Sequence, residues 1–416
     1  MKKRIQSVLK LFTLLTMALH LMACVQTSAQ RLKLMPTPLI YTNAVTQSLA
    51  SAELSADAPY EGVLYITDRA PVSIEKRIDK LKEYSKERNP FFSAGLNSVV
   101  LNQYGKHQLS ISKVETFGVL KSALPFGRLT DLDELEQAKG GDKRLISLID
   151  QKLEVSQQKD IFIYVHGAHD SFDSPPLVAG ELWHYLGYEG VMINFLWPAT
   201  TARFGYFKDT ENAQVSGHNL GKLIGYLADN TTARKIHLVS HSAGGRLVVT
   251  ALRELAIAKD NVGGKIGNAM LIASDLNPTV FAIAISDGIA ELPSRLTVYG
   301  STKDTALGVS SFLFKELRLG QLKEDETLPA HLIELFDNSN IDVIDVSGAP
   351  KILASHGHSY FRSSPWVSSD VISVLRFGLV PSQRGLSREQ GRVAWKFPMS
   401  YVDDIENLTL NEIFKN

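Results

Sequence analysis

The sequence predicts an α/β fold with a mostly parallel central sheet, helices on both faces, and an N-terminal β extension. Three observations carry this prediction. Continuous apolar runs end at small or polar residues, as strands covered on both faces do. Stretches with helical spacing lie between them. The alternation persists from Asp160 to about Arg376, which is the pattern of a parallel sheet with crossover helices.

In chain order, "EGVLYITDR" (Glu61 to Arg69) reads as a strand. A charged stretch, "IEKRIDKLKEYSKERN", reads as helix or loop, and "LNQYGKHQLSISKVETFG" as further strands. "DIFIYVHG" is a buried strand ending at glycine, and a helix is expected over roughly Pro176 to Leu186. "GVMINFLWP" is a second buried strand, and "NAQVSGHNLGKLIGYLADN" a helix. "KIHLVS" is a third strand, followed by the helix "GGRLVVTALRELAIA". "KIGNAMLIASD", "SRLTVYGSTKD" and "IDVIDVSG" continue the series.

Of the 416 residues, 44% are hydrophobic, which is enough for a large core. Lysines plus arginines equal aspartates plus glutamates at 44 each, so no charge excess points to nucleic acid as a partner. The N-terminus has the layout of a signal peptide over 1–23: Lys2, Lys3 and Arg4, then a mostly apolar run from Val8 to Leu19. It closes on "LMAC", which resembles a bacterial lipobox and implies that Cys24 becomes a lipidated N-terminus. Val25 after that cysteine implies, by the same resemblance, the outer membrane of the cell envelope. An ordinary cleaved signal or a signal anchor is the alternative. Cys24 is the single cysteine, so no disulfide forms within the chain. Residues 24–58, rich in Ser, Thr, Ala, Pro and Gln, read as a tether. The domain is then 59–380, with a β-rich part over 59–155 and a core over 156–380, and 381–416 form a C-terminal extension. That extension either covers a sheet edge or stays free of the body.

Functional groups of open parallel sheets gather at the carboxyl ends of the strands. Ser242, in "SHSAG", stands between a buried strand and an amphipathic helix. A serine there is a nucleophile candidate on a sharp turn, with small neighbours to let the backbone pass and a helix N-terminus behind it. Ser240 holds the place of the first glycine in the usual pattern. An oxyanion needs two N–H donors; Ala243 follows the nucleophile, and Ala168 in "YVHGAHDSF" is the second. His166 is expected to orient that loop. His169 and Asp170 do not form a recognised zinc set with any second cluster, so no metal and no cofactor is expected. Asp304, in "LTVYGSTKDTAL", is the first choice for an acid that holds the base, with Asp275 as the alternative. "SHGHSYFRS" offers His358 as the base, with His356 as the alternative.

The order Ser242, Asp304, His358 is that of α/β-hydrolases. The chain resembles that superfamily, and more narrowly a little-characterised bacterial branch of it. The resemblance rests on Thr67-Asp68-Arg69, Tyr104-Gly105, His166-Gly167 with Ser171-Phe172, Trp197-Pro198, His241 to Gly244, Asp304 to Leu307, and Gly357 to Phe361. It covers roughly residues 60–376 and favours Asp304 and His358 over their alternatives. His169-Asp170 and "SAGG" depart from the branch's usual residues, at the mouth of the pocket.

Phe204, Tyr206 and Phe207 stand in a loop beside the expected site and are candidate walls of an acyl or aryl pocket. Trp197 reads as core, Asp209 as an acidic residue near a helix N-terminus, and 312–336 as a lid or a packed excursion. The function expected is ester hydrolysis by a serine hydrolase acting on small or lipid-like acyl substrates. An acyltransferase or peptidase using the same site, or a non-catalytic envelope binding protein, is the alternative.

Overall fold

The computed structural model describes residues 31–42, 57–72, 83–102, 108–123, 139–200, 205–260, 262–314, 316, 318–321 and 339–405. The signal segment, Cys24 and most of the expected lid lie outside the described residues. The described chain forms an 11-stranded sheet in the order β1-β4-β3-β2-β6-β5-β7-β8-β9-β10-β11. Its strands are β1 (Arg31–Lys33), β2 (Val63–Pro71), β3 (Tyr84–Asn102), β4 (Gln108–Val119), β5 (Asp160–Val165), β6 (Val191–Leu196), β7 (Lys235–His241), β8 (Ile266–Ile272), β9 (Arg295–Gly300), β10 (Ile341–Asp345) and β11 (Ala394–Lys396). From β2 to β11 every neighbouring pair is parallel; β1, β4 and β3 form an antiparallel edge.

Every residue of β5, β6 and β8 is buried, which requires cover on both faces. The cover comes from α1 (Asp142–Val155), α2 (Pro175–Tyr185), α3 (Tyr206–Asn230), α4 (Gly244–Ile257), α5 (Pro278–Ser286), α6 (Thr305–Phe314), the short α7 (Tyr360–Ser363) and α8 (Pro365–Phe377). Local chemistry sets the helix limits. Asn277 accepts the N–H groups of Thr279 and Val280 with Pro278 in the first turn of α5, and Gly378 ends α8 in the left-handed region.

Two readings from the sequence change, and one left open is decided. "YSKERN" belongs to β3 rather than to a helix or loop: it pairs irregularly with β2, and its charged side chains face solvent. Strand pairing here overrides local composition. Residues 31–42 of the expected tether are folded against the body. Met35, Ile40 and Tyr41 are buried, the Met35 N–H donates to Glu181 Oε1 at 2.6 Å, and the Ile40 N–H donates to Ser369 Oγ at 2.9 Å. The polar average of the segment masked the apolar run Leu32, Leu34, Met35, Leu39 and Ile40. Of the two alternatives for the C-terminal extension, its described part takes the sheet edge. β11 continues the sheet beyond β10, and buried Arg384 places Nε 3.1 Å from Asp370 Oδ1.

Candidate active site

The chain passes from β5 to β6 on one side and then to β7 on the other, so the sheet has a topological switch beside β5. In open α/β sheets, ligands bind at such a point, outside the carboxyl ends of the strands. Val165 pairs with Ser240, which sets the turn after β5 beside the turn after β7.

Ser242 occupies the second of those turns with φ of 54°. A non-glycine residue in that region costs about 1–2 kcal/mol. The surroundings hold it there. Its N–H donates to the Ile272 carbonyl at 2.9 Å, and its own carbonyl accepts from Gly245 and Asp275, each at 3.1 Å. Small residues are required around it. A Cβ on Gly244 would collide with the Val165 carbonyl oxygen and lie 2.7 Å from that of His166; one on Gly167 would lie 3.1 Å from Ser242 Cβ. Ser240, at the variant position of the motif, is fully buried and donates to the Met270 carbonyl at 2.9 Å.

The structure brings Asp304 and His358 together: Nδ1 of His358 lies 2.7 Å from Oδ2 of Asp304. The other carboxylate oxygen of Asp304 accepts the Leu307 N–H at 2.9 Å. Burial pulls the His358 pKa down, but the charge and hydrogen bond of Asp304 outweigh it, and the ring ends above its ordinary value. Gly357, at φ of 75°, lets the histidine loop lie against Lys303 and Asp304, where a Cβ would strike the Lys303 carbonyl. His356 is exposed, and its carbonyl accepts from Thr305 Oγ1 at 2.9 Å, which pins the same loop. Asp275 takes a different position: Ser310 Oγ donates to its Oδ1 at 2.7 Å, with Arg318 Nε 3.2 Å and Arg246 Nη2 3.4 Å from its oxygens.

Two residues that the sequence reading gave no role support His358. His241 places Nε2 3.0 Å from the His358 carbonyl oxygen, and its ring centroid is 4.9 Å from that of His358. Burial and then repulsion from His358 push the His241 pKa down to about 3, so its Nε2 donates as a neutral imidazole. Tyr360 donates to the Tyr299 carbonyl at 2.8 Å and accepts the Ala273 N–H at 2.7 Å, tying the histidine loop to the ends of β8 and β9.

Ala168 stands in the turn after β5 and Ala243 in the turn after β7. Among the described residues neither N–H donates to a backbone carbonyl. His166 is wholly buried; its Nδ1 lies 2.8 Å from the Gly167 carbonyl oxygen, and its ring stacks on Trp197. Burial, then the charge of Arg69, holds its pKa well below the ordinary value. Trp197 is core, as its composition context suggests, and its Nε1 donates to the His166 carbonyl at 2.8 Å. Phe204 and the side chain of Tyr206 lie outside the described residues. Phe207 is 66% exposed in the first turn of α3, so its ring does not line an enclosed pocket. Among the described residues, no cluster of His, Cys, Asp and Glu has metal-site geometry, and no helix is long and apolar enough to cross a membrane.

Residues 143–375 match the model of a family described as "Alpha/beta hydrolase of unknown function (DUF900)". Among solved structures, the acylaminoacyl peptidase of Pyrococcus horikoshii in its orthorhombic crystal form is 12% identical, with a TM-score of 0.31. The match covers 62% of this chain and 40% of that peptidase, so it spans less than half of the peptidase's length. No curated protein matches the chain.

Proposed function

The chain belongs to the DUF900 family of α/β-hydrolases, and from that premise we propose that it is a serine hydrolase acting on acyl esters. The observation that carries the reading is a serine held at φ of 54° between β7 and α4, in a domain whose later loops pair a histidine with a buried aspartate. In this reading Ser242 attacks the acyl carbonyl carbon while His358 accepts its proton at Nε2. Asp304 fixes the Nδ1–H tautomer and stabilises the imidazolium. The carbonyl oxygen becomes an oxyanion that takes hydrogen bonds from the N–H groups of Ala168 and Ala243. The intermediate collapses, the alkoxide leaves with the proton from His358, and an acyl-Ser242 ester remains. Water, deprotonated by His358, then releases the acid and restores the serine.

Labelling with a fluorophosphonate probe tests the nucleophile, with Ser242→Ala as the control. A panel of p-nitrophenyl esters of rising acyl length reads the substrate class. Capture of the acyl group by an added alcohol or amine in preference to water would reassign the chemistry to acyl transfer. The lipobox-like "LMAC" supports a lipid anchor on Cys24 in a bacterial envelope. A Cys24→Ser protein that still partitions with membranes would sink that part.

A further inference from the structure

The turn after β5 is held by carboxyl groups that the proposed mechanism does not use. The Gly167 N–H faces the Asp170 carboxyl, whose Oδ1 accepts from Ser174 Oγ at 3.0 Å, and the His169 N–H faces the Asp209 carboxyl. The Ala168 N–H, between them in sequence, has no backbone acceptor among the described residues. Asp209 reaches the turn from the first turn of α3 and is 2% exposed. Its Oδ1 also accepts the Thr200 N–H at 2.7 Å, and His169 Nδ1 lies 3.1 Å from the Thr200 carbonyl oxygen. The turn after β5 and the loop after β6 are therefore joined through the His169 imidazole, and the Asp209 carboxyl holds Thr200 from α3.

Behind them stands the Thr67-Asp68-Arg69 motif at the end of β2. Thr67 Oγ1 donates to the Leu196 carbonyl at 2.5 Å. Asp68 Oδ2 accepts from Ser216 Oγ at 2.7 Å and Asn219 Nδ2 at 2.8 Å, both on α3. Arg69 Nη2 donates to the Asp170 carbonyl at 3.0 Å, and its charge faces Asp68, Asp170, Asp209 and Asp173. Such a buried cluster carries a desolvation cost. Burial, only partly offset by hydrogen bonds and by Arg69, pushes Asp209 up to about 7 and Asp170 up to about 6. An apolar contact would close the same space without that cost; what the carboxyl groups add is two directed acceptors.

We propose that Asp209, with Asp170 and Arg69 beside it, is a positioning residue: Asp209 holds Thr200, whose carbonyl meets the His169 ring, Arg69 holds the Asp170 carbonyl, and together they fix the turn that carries Ala168, so that its N–H is presented to the oxyanion. This rests on the reading of Ser242 as the nucleophile. The required feature at residue 209 is an acceptor oxygen, not a charge, because Oδ1 takes the Thr200 N–H and the cluster already contains three other aspartates near Arg69.

The test is steady-state hydrolysis of p-nitrophenyl butyrate by the full chain. Asp209→Ala is expected to lower kcat by about 10–100-fold with KM within about 3-fold, a partial loss of one oxyanion donor. Asp209→Asn, which keeps Oδ1, is expected to restore kcat to within about 3-fold of the unsubstituted protein. Unchanged kcat in Asp209→Ala, or an equal loss in Asp209→Asn, would overturn the role. Amide hydrogen exchange on the unsubstituted protein gives a readout that does not depend on a variant folding. The Thr200 amide, which donates to Asp209 Oδ1, should exchange at least about 10-fold more slowly than that of Ala168, and equal rates would overturn the clamp. Failure of Ser242 to take the fluorophosphonate would overturn the hydrolase reading and the role with it; an intact adduct with unaltered Asp209→Ala kinetics would overturn the role alone.

Discussion

His358 Nδ1 and Asp304 Oδ2 are 2.7 Å apart, and Asp304 is held from its other oxygen by the Leu307 N–H. The pair links the loop after β9 to the loop that precedes α7. It also fixes which ring nitrogen of His358 is left for a second partner, because a neutral ring that donates at Nδ1 accepts at Nε2.

The first prediction concerns pH. The base must be neutral, so kcat/KM should rise with pH through the His358 pKa. Burial alone would lower that pKa, but Asp304 raises it further, so the midpoint should lie above the ordinary value of 6.5. Asp304→Asn should move the midpoint down and lower kcat by about 10⁴-fold. The linkage has a matching sign. A raised histidine pKa contributes stability that is full below 6.5 and is lost as pH rises through the folded value. Rate profiles and melting curves from pH 5 to 9 check both.

Asp275 should behave differently. Its carboxylate faces buried Arg318 together with Arg246 and Ser310. Asp275→Asn removes the charge that balances Arg318, and breaking a buried pair costs about 3–5 kcal/mol. Denaturant unfolding should show that loss, while kcat, measured well below the melting temperature, should stay within about 10-fold. An equal loss of kcat in Asp275→Asn and Asp304→Asn would undo the assignment of the acid.

Gly244→Ala tests the packing of the turn. The added methyl meets the carbonyl oxygens of Val165 and His166, which are backbone and cannot rotate away. Overpacking of this kind costs about 1–3 kcal/mol. The variant should melt earlier and lose turnover, because β5, β7 and the Ser242 turn are forced apart. Normal stability and rate in Gly244→Ala would contradict the close approach.

Arg384→Leu tests whether the C-terminal extension is part of the body. Arg384 is fully buried against Asp370, which also accepts from Tyr299 Oη at 2.7 Å. Removing the cation leaves Asp370 underpaired, and the expected loss is about 3–5 kcal/mol. Equilibrium unfolding measures it, and a change below about 1 kcal/mol would show the extension to be dispensable.

What the sequence makes legible follows from physical range. Buried runs such as "DIFIYV" and "VMINFL" declare strands because cover on both faces leaves no room for alternation. Ser242, Asp304 and His358 could be nominated because each lies at a strand end or in a loop, where a polar residue has no structural reason to be among apolar neighbours. Asp209 read only as a favourable charge at a helix N-terminus, which it is; its contact with Thr200 is set by how α3 lies over the loop after β6, and no local pattern encodes that. His241 was visible as a neighbour of the serine, but its hydrogen bond to the His358 carbonyl spans 117 residues. The apolar residues of 31–42 were present too, diluted by the polar segment around them. "GHSYF" marked Tyr360 without a role, since its two partners sit on β9 and just after β8.

The central claim is that Ser242 is an activated nucleophile. The direct measurement is mass spectrometry of the protein after exposure to a fluorophosphonate. The account predicts one adduct on the peptide containing Ser242, lost in Ser242→Ala and slowed by at least about 10³-fold in His358→Ala. An unmodified Ser242, or labelling that persists in Ser242→Ala at the same rate, would contradict it.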